Sequence, residues 1–424
     1  MSRLSLRALT TVAVAFALSA CSHLSMVTPQ TQTPAQFDNL SSSVQPNGRS
    51  MTDTWSGIHP FQVFDYNISA QQAQQDAYRY DFVWGTGKPA AWKSGNASII
   101  TSWYAPFDGD FSLNHNLQWW LANHPSWVLY KCDHKRLASL DGLKNVPLDI
   151  SNPAVVRWQM STYAPGMENA GYDALAEDLV SLNNSTGGCG VFVNGVWTQR
   201  FTGQKVDSAW SSAVLAWHAY AYRYLHGLSR PLLVAINGVP ESQQFGDPNE
   251  EQLLSHVDIM DDESSFTDYG TGYASQQKVG LILQWMKYAQ QQGVAYIVDD
   301  KWNTNKLSQQ QFDWGVATYM LGKYHLASLW IDHLPGYGQE YWVKQYNAKI
   351  GSPCSDMYPD GNDSGVWYRK FSGSFVVVNS SSNQTYTVSL PQQSYQDIYG
   401  NTVNSPLTLS PDEAKVLMTT NGCN

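Results

Sequence analysis

Acidic residues follow short apolar runs at several points of this chain. The clearest run spans 171–178, Gly-Tyr-Asp-Ala-Leu-Ala-Glu-Asp, and ends on Glu177 and Asp178. A second apolar run is followed by Asp262 and Glu263. Two carboxyl groups on opposite sides of one bond can divide acid–base chemistry between them. One stays protonated and donates its proton to a leaving oxygen, while the other is ionised and attacks carbon or activates water.

Hydrolysis of a glycosidic bond needs such a pair, and we predict that it consists of Asp178 and Glu263. In this prediction Asp178 is the nucleophile or base, and Glu263 is the general acid. Crowding of like charges helps, because it raises the pKa of one carboxyl and keeps that group protonated near neutral pH. The neighbouring acids Glu177, Asp262 and Asp300 are alternatives that the sequence leaves open. Calcium binding, helix capping or pairing with lysine would be the structural explanation for any single acid.

These acids need a scaffold that brings separate strand ends together. Eight apolar runs of strand length, mostly separated by helical stretches, fall at 61–66, 81–84, 127–132, 172–178, 232–237, 257–261, 295–299 and 328–331. Strands that alternate with helices predict a parallel sheet, and eight such units predict a closed (β/α)8 TIM barrel with its chemistry at the carboxyl ends of the strands. An open doubly wound sheet is the alternative fold.

The stretch at 98–107 is ambiguous. It has the composition of a strand, yet it follows 81–84 too closely for a full crossover helix. We therefore predict a long loop over the barrel mouth. If the stretch is a barrel strand, the strand count shifts by one.

Aromatic residues make up 13% of the chain and include seventeen tryptophans, which suits a carbohydrate site. Flat aromatic faces bury the apolar faces of sugar rings, while polar side chains pair with the hydroxyls. Residues near the predicted strand ends are therefore our candidates for contact with the substrate. They are Asp65, Trp84, Trp103, Tyr104, Lys131, Glu177, Asn237, Asp262, Asp300, Trp302 and Trp330.

The stretch 171–178 also resembles a known signature, Gly-Phe-Asp-Gly-Val-x-Leu-Asp. It is similar to that of the hypothetical glycosyl hydrolase family fifteen and of the related polygalactosaminidase-like barrels. In those families the last Asp ends the fourth strand and is taken as catalytic, and it matches Asp178 here. Ala174 replaces the usual Gly, and Glu177 replaces the usual apolar residue. The resemblance implies a glycoside hydrolase with a TIM barrel, and 257–263 resembles the segment that supplies the partner acid.

The pattern changes after about residue 351. Short strand-like runs at 366–371, 374–379 and 385–390, with turn residues between them, predict a small antiparallel β domain at 351–424. This tail resembles the β-sandwich that closes many glycosidase barrels, so 51–350 would form the catalytic barrel. Apart from Cys21, an even number of cysteines remains, which predicts two disulfides in an exported protein. Three pairings are possible, and the predicted fold favours Cys132–Cys189 with Cys354–Cys423.

The N-terminus predicts export. Arg3 and Arg7 precede an apolar run, and Leu18-Ser19-Ala20-Cys21 resembles the lipobox of bacterial lipoproteins. This implies a signal peptide at 1–20 and lipidation of Cys21, with an ordinary signal peptide as the alternative. Residues 21–50 are polar with almost no charge and predict a disordered tether. Ser22 after the cysteine favours the outer membrane.

Composition also excludes some functions. The net charge is −10 and no basic stripe is present, so nucleic acid is not an expected partner. A neutral or cationic polysaccharide suits this charge better than a polyanion. The ten histidines are scattered without metal-ligand spacing, so we expect no metal and no cofactor, which disfavours a metal-dependent hydrolase or deacetylase. A monomeric, lipid-anchored glycoside hydrolase acting on an extracellular or envelope polysaccharide is the prediction. A non-catalytic carbohydrate-binding lipoprotein on the same fold is the alternative.

Overall fold

A computed structural model describes residues 54–110, 115–139, 145–238, 244–263, 265–333, 336–360, 365–420 and 423. The signal peptide, Cys21 and the tether therefore lie outside the described residues. The strands are β1 Gln62–Val63, β2 Phe82–Trp84, β3 Ile100–Pro106, β4 Gly109–Asp110, β5 Tyr130–Lys131, β6 Val146–Pro147, β7 Ala174–Asp178, β8 Gly188–Val193, β9 Val196–Gln199, β10 Leu233–Asn237, β11 Ile259–Asp262, β12 Ala295–Trp302, β13 Ala327–His333, β14 Tyr358–Pro359, β15 Val366–Phe371, β16 Ser374–Asn379, β17 Tyr386–Val388, β18 Ser394–Asp397, β19 Thr402–Asn404, β20 Leu407–Leu409 and β21 Ala414–Met418. The helices are α1 Ala70–Asp76, α2 Pro89–Gly95, α3 Leu117–Asn123, α4 Pro153–Ala170, α5 Ser208–His226, α6 Pro248–Leu254, α7 Gln276–Gln291 and α8 Gln309–Gly322.

Eight parallel strands form the main sheet, in the order β1-β2-β3-β7-β10-β11-β12-β13. A parallel bridge between Pro60 and Leu329 joins the last strand to the segment that leads into the first. The Phe61 N–H donates to the Leu329 carbonyl at 3.1 Å. The sheet is therefore a nearly closed barrel, as a (β/α)8 fold requires, and the open doubly wound alternative is wrong.

The predicted third strand is wrong. Ile100–Pro106 is the third strand, since Phe82 pairs with Ile100 and Ser102 with Ala174. The stretch 127–132 supplies only β5, which pairs antiparallel with β8 outside the barrel. The seven-residue helix α2 makes the crossover between β2 and β3, so a short connection is sufficient. One strand replaces the other, and the count stays at eight.

Helix starts follow their capping residues. The Asn152 side chain accepts from the Ala154 N–H, and Pro153 takes the first position of α4. Ser308 and Gln311 form a reciprocal capping box at the start of α8. These caps satisfy backbone N–H groups that have no partner within the helix.

The direction of each barrel side chain follows the two-residue period of a strand. Ala174 and Ala176 of β7 point into the barrel, where they pack with residues such as Phe61, Phe82 and Trp330. Their neighbours in the chain point outward and pack against the helices. A shift of one residue therefore moves a side chain from the interior of the barrel to the helical layer.

Two segments that leave the carboxyl ends of the strands build an extension at the barrel mouth. The segment after β3 contributes β5, and the segment after β7 contributes β8 and β9, which form one three-stranded sheet. A disulfide between Cys132 and Cys189 ties the two segments together, with 2.07 Å between the sulfur atoms. Cys354 pairs with Cys423. Both predicted disulfides are present.

The C-terminal part contains a six-stranded antiparallel sheet, β14-β15-β16-β21-β18-β19, and the separate antiparallel pair β17–β20. One face of the sheet packs against the barrel, because Phe371, Val376 and Val416 belong to the same core cluster as α8. The other face packs with β17 and β20 through Phe375, Val388 and other apolar residues. This arrangement is consistent with the predicted sandwich. No helix within the described ranges is long and apolar enough to cross a membrane.

Candidate active site

Three neighbouring strands bring Asp178, Asn237 and Glu263 together at the carboxyl end of the barrel. Asp178 ends β7, Asn237 ends β10, and Glu263 directly follows β11. The Asn237 amide nitrogen donates to Asp178 Oδ1 at 3.1 Å and to Glu263 Oε2 at 2.9 Å. All three side chains line one cleft of about 270 Å³. We call it the carboxyl cleft, and a single amide connects Asp178 with Glu263.

Asp178 is held by hydrogen bonds from two further groups. The Tyr104 hydroxyl donates to Oδ2 at 2.5 Å, and the Leu179 N–H donates to Oδ1 at 2.8 Å. Leu179 has a φ of 66°, in the left-handed region, so the chain turns sharply after the acid. Burial raises the pKa of Asp178, although these hydrogen bonds favour its ionised form.

Glu263 lies in a different electrostatic environment. Lys301 Nζ donates to Oε1 at 2.5 Å, and the Tyr337 hydroxyl donates to the same oxygen at 2.6 Å. Burial acts to raise the pKa of Glu263, but the Lys301 charge and these hydrogen bonds outweigh it, and the pKa is lowered. The environments of Asp178 and Glu263 therefore act in opposite directions: the pKa of Glu263 lies below its ordinary value, and that of Asp178 lies above its ordinary value.

Two more acids lie deeper in the barrel, below the carboxyl cleft. Asp261 is two residues before Glu263, and Asp299 is two residues before Lys301. Both are buried, and burial together with the neighbouring carboxylates raises the pKa of each well above its usual range. A raised pKa favours the neutral forms of Asp261 and Asp299, which add no negative charge beneath Glu263.

The other acids predicted for the site point out of the barrel. Glu177 lies under α5, where its carboxylate is 3.2 Å from His218 Nε2. Asp262 accepts from the Tyr296 hydroxyl at 2.6 Å, and Asp300 accepts from the Phe266 N–H at 2.9 Å. Each is one residue away from an inward position, so strand alternation places it in the helical layer.

The predicted tryptophans are not brought to the cleft either. Trp84 and Trp330 are buried in the barrel interior. Trp302 is buried on the outer side, with its ring 4.9 Å from that of Tyr273. Trp103 is half-buried and lines a separate cleft between β3 and α4. Large apolar rings fill space in this fold rather than presenting a face to the carboxyl pair.

Two polar candidates have structural partners elsewhere. Asp65 is buried and accepts from the Thr86 hydroxyl at 2.5 Å and from the Trp92 indole at 3.1 Å. Lys131 belongs to β5, in the three-stranded sheet, because the stretch 127–132 is not a barrel strand. Of the predicted contact residues, Tyr104 and Asn237 reach the acids.

Several residues of the site were not predicted. Lys301 shares the inward face of β12 with Asp299, so the two-residue period could have identified it. Tyr337 comes from the segment after β13, where no periodic pattern exists. Asp108 and Tyr269 line the carboxyl cleft from loops after β3 and β11. Tyr66 is 67% exposed and stacks on Phe64, whose ring lies 5.2 Å from that of Tyr104.

The charges in the cleft bear on what it can bind. Its described lining contains Asp108, Asp178 and Glu263 and no basic side chain. Within the described residues, no group of three or more His, Cys, Asp or Glu could hold a metal ion. The arrangement can transfer a proton and present a carboxylate to a bound molecule.

No family model matches this chain, and no curated protein matches its sequence. Several solved structures have a similar fold. A maltogenic alpha-amylase from Thermotoga neapolitana is 12% identical over 85% of this chain and 98% of its own, with a TM-score of 0.48. A GH36 alpha-galactosidase from Geobacillus stearothermophilus is 10% identical over 85% of this chain and 56% of its own, with a TM-score of 0.46. These are likenesses of fold, and the function proposed below rests on the geometry of the cleft.

Proposed function

We propose that this protein is a glycoside hydrolase whose acid pair is Asp178 and Glu263. The observation that carries the proposal is the position of Asn237, whose amide nitrogen donates to both carboxyls at the open end of the barrel. Acids on separate strands are held rigidly around one space, which is what cleavage of a glycosidic bond requires. Their unequal environments supply the two protonation states that the chemistry needs.

The charges favour the reverse of the roles predicted from the sequence. Glu263, which accepts from Lys301 and has a lowered pKa, would act as the nucleophile, while Asp178, whose pKa is raised by burial, would act as the acid. One oxygen of each acid lies within 3.1 Å of the same nitrogen. Such closeness suits the separation of about 5–5.5 Å in retaining enzymes better than the wider spacing of inverting ones.

We therefore propose a retaining reaction in two steps. Glu263 attacks the anomeric carbon while Asp178 donates its proton to the leaving oxygen, so the glycosidic bond breaks and a glycosyl ester forms. Asp178, now ionised, then takes a proton from water as the water oxygen attacks the anomeric carbon and releases Glu263. The configuration of the first product, read by NMR before mutarotation, would distinguish this course from inversion.

The finer assignments are proposals that rest on the sequence. The lipobox-like segment supports lipidation of Cys21 and attachment of a monomeric chain to the outer membrane. The signature at 171–178 supports a relation to the hypothetical glycosyl hydrolase family fifteen and the polygalactosaminidase-like barrels. An extracellular or cell-envelope polysaccharide is the proposed substrate.

The test is a hydrolysis screen of the full chain carrying Cys21→Ser against neutral, amino and uronic polysaccharides. Asp178→Asn and Glu263→Gln should each lower kcat/KM by at least about 100-fold, because each removes one half of the acid–base pair. Glu177→Gln and Asp262→Asn are matched controls, since each changes a neighbouring acid that lies outside the barrel wall. They should stay close to the unmodified chain.

Three results would contradict the proposal in different ways. Unchanged hydrolysis by Asp178→Asn or Glu263→Gln would remove that residue from the mechanism. Equal losses in the neighbouring-acid controls would show that the effect is structural. Saccharide binding without hydrolysis by the unmodified chain would favour the non-catalytic carbohydrate-binding alternative.

A further inference from the structure

Asp108 is a buried acid that takes no part in the proposed reaction. It lies two residues beyond β3, is only 2% exposed, and lines the carboxyl cleft. Its carbonyl accepts from the Leu148 N–H at 2.8 Å, which fixes the backbone at this point. Its Oδ1 has no hydrogen-bond partner among the residues that the structure describes. A buried polar atom left without a partner is costly, so it favours a ligand that pairs with it.

Thr186 presents a second atom of this kind from a different segment. It follows β7 in the chain, is 5% exposed, and lines the same cleft. Its Oγ1 also has no hydrogen-bond partner in the described part of the chain. The turn around it is held by Asn184, whose side chain accepts from the Gly188 N–H and donates to the Gly188 carbonyl, both at 2.8 Å. Two residues that line one cleft therefore each carry a buried oxygen without a described partner.

Tyr269 adds an aromatic ring to the same space. It is 50% exposed and lines the cleft from the loop after β11. Asp268 and Tyr269 have φ values of 40° and 54°, a left-handed conformation that disfavours residues with a side chain. The Tyr269 carbonyl accepts from the Asn303 amide at 3.1 Å, which holds the turn in place. Backbone strain that is held by specific contacts is typical of functional positions.

We propose that Asp108, Thr186 and Tyr269 form a specificity subsite for a neutral sugar ring next to the bond that is cleaved. Asp108 and Thr186 pair with neighbouring hydroxyls of the ring, while Tyr269 covers its apolar face. This inference rests on the proposed function. The described lining contains three acids, and the nearby Lys301 is already paired with Glu263, so a uronic acid is disfavoured. The hydroxyl groups of a neutral ring suit both unpaired atoms.

The protonation of Asp108 makes sugar binding depend on pH. Burial and the nearby Asp178 charge raise the pKa of Asp108 to about 7. Below that pH the neutral acid can both donate and accept, and above it the carboxylate can only accept. Binding of a neutral sugar should therefore weaken as the pH rises through 7. Binding of an amino sugar should not weaken in this way while its amine is protonated, because the ammonium group pairs with the Asp108 carboxylate.

The experiment measures binding by calorimetry, in the full chain carrying Glu263→Gln so that turnover is blocked and Asp178 is kept. The probes are maltotetraose, cellotetraose, a glucosamine tetramer and a galacturonic acid tetramer. We expect a neutral tetramer to bind. Asp108→Ala, Thr186→Val and Tyr269→Ala should each weaken that binding by about tenfold or more. Asp108→Asn, which stays neutral, should bind at every pH with little dependence on it.

Matched controls separate this subsite from general damage. Thr198→Val changes a threonine of β9 outside the described lining, and Tyr78→Ala removes an exposed tyrosine that is likewise outside it. Both should bind like the parent, and melting temperatures should show that every variant folds. Unchanged affinity in Asp108→Ala and Thr186→Val would overturn the proposal. Tighter binding of the glucosamine tetramer than of either neutral tetramer would overturn the neutral-sugar assignment.

The remaining outcomes distinguish failure of the subsite from failure of the proposed function. If no tetramer binds, the subsite proposal is wrong for these sugars. If binding follows the predicted pattern but the unmodified chain hydrolyses nothing, the subsite stands and the proposed function fails. If hydrolysis depends on Asp178 and Glu263 while the subsite variants bind normally, the function stands and the subsite fails.

Discussion

Three consecutive acids at the end of β11 meet three different environments. Asp261 points into the barrel and is buried with a raised pKa. Asp262 points outward and accepts from Tyr296, and Glu263 returns to the inner face beside Lys301. An acidic side chain here is therefore buried inside the barrel, directed toward the helical layer or directed into the cleft. Its position along the strand decides which, because successive residues point to opposite faces. Chemistry at this site is decided by direction and partner more than by the number of acids.

Lys301 sets the charge of Glu263, and its removal should be visible in the pH dependence of hydrolysis. Without the ammonium group, Lys301→Met should raise the pKa of Glu263. A reaction that needs the Glu263 anion loses rate as pH falls through that pKa. The acidic limb of the kcat/KM profile should therefore move to higher pH. Lys306→Met, an exposed lysine on the same segment, is the control, and an unmoved limb in Lys301→Met would contradict the role of Glu263 as the anion.

Asp300 should make the fold less stable as the pH rises from about 4 to about 8. Burial raises the pKa of its carboxyl from 3.8 to about 8, so the folded chain binds a proton that the unfolded chain has released. Stability therefore falls between about pH 4 and pH 8, by up to about 1.4 kcal/mol per unit. Asp300→Asn keeps an acceptor for the Phe266 N–H and stays neutral, so urea unfolding should lose this slope.

A surface acid serves as the comparison for Asp300→Asn. Asp133 is exposed, and hydrogen bonds from Arg136 lower its pKa, so its contribution changes only in acid. Asp133→Asn should leave the slope between pH 5 and pH 8 as it is. An Asp300→Asn variant that keeps the full slope would show that another buried acid is responsible.

At the scale of elements, most of the barrel was predictable because buried parallel strands are short, apolar and separated by helices. The same property hides the direction of the side chains, since both faces of such strands are apolar and alternation is weak. Within β7, small Ala174 and Ala176 face inward and Leu175 faces outward. This alternation of small and large side chains predicts that Asp178 points inward and that Glu177 points outward. The third strand was missed because a seven-residue crossover helix is shorter than the one we required.

Residues on loops could not be predicted in the same way. Tyr337, Asp108 and Tyr269 reach the site from segments whose path depends on tertiary contacts, not on local periodicity. The left-handed backbone at Tyr269 has no marker in the sequence beyond the adjacent Gly270. Loop positions of a barrel carry specificity, so they are also where sequence patterns are least informative.

The Cys132–Cys189 disulfide should affect function as well as stability. It joins the segment that carries Asp108 to the segment that carries Thr186, across a separation of 57 residues. Replacing both cysteines by serine should lower the free energy of unfolding by about 2–4 kcal/mol. It should also raise KM more than it lowers kcat, because the two loops lose their fixed spacing. The matched control replaces Cys354 and Cys423, which should cost stability without changing KM.

At the scale of the whole molecule, α8 connects the two parts of the chain. Eleven of its residues are buried, from Phe312 to Gly322, because it lies between the barrel and the C-terminal sheet. Apolar residues of β15, β16 and β21 complete that core. Truncation near residue 350 would therefore expose a face of α8, so the two parts should unfold together in one transition.

Arg369 of β15 joins the two parts at the end of this helix, and its loss should separate them. Its guanidinium is buried and donates to the carbonyls of Leu321 at 2.7 Å and Lys323 at 2.5 Å, and it lies 4.4 Å from the Tyr324 ring. Arg369→Met would remove the buried donor that these carbonyls share at the end of the helix. The free energy of unfolding in urea should fall by about 3 kcal/mol or more. Tryptophan fluorescence should then show two transitions in place of one.

Lys370→Met, at the adjacent position of the strand, should unfold like the unmodified chain. Equal midpoints for the two variants would show that apolar packing on α8 is sufficient to hold the sheet to the barrel.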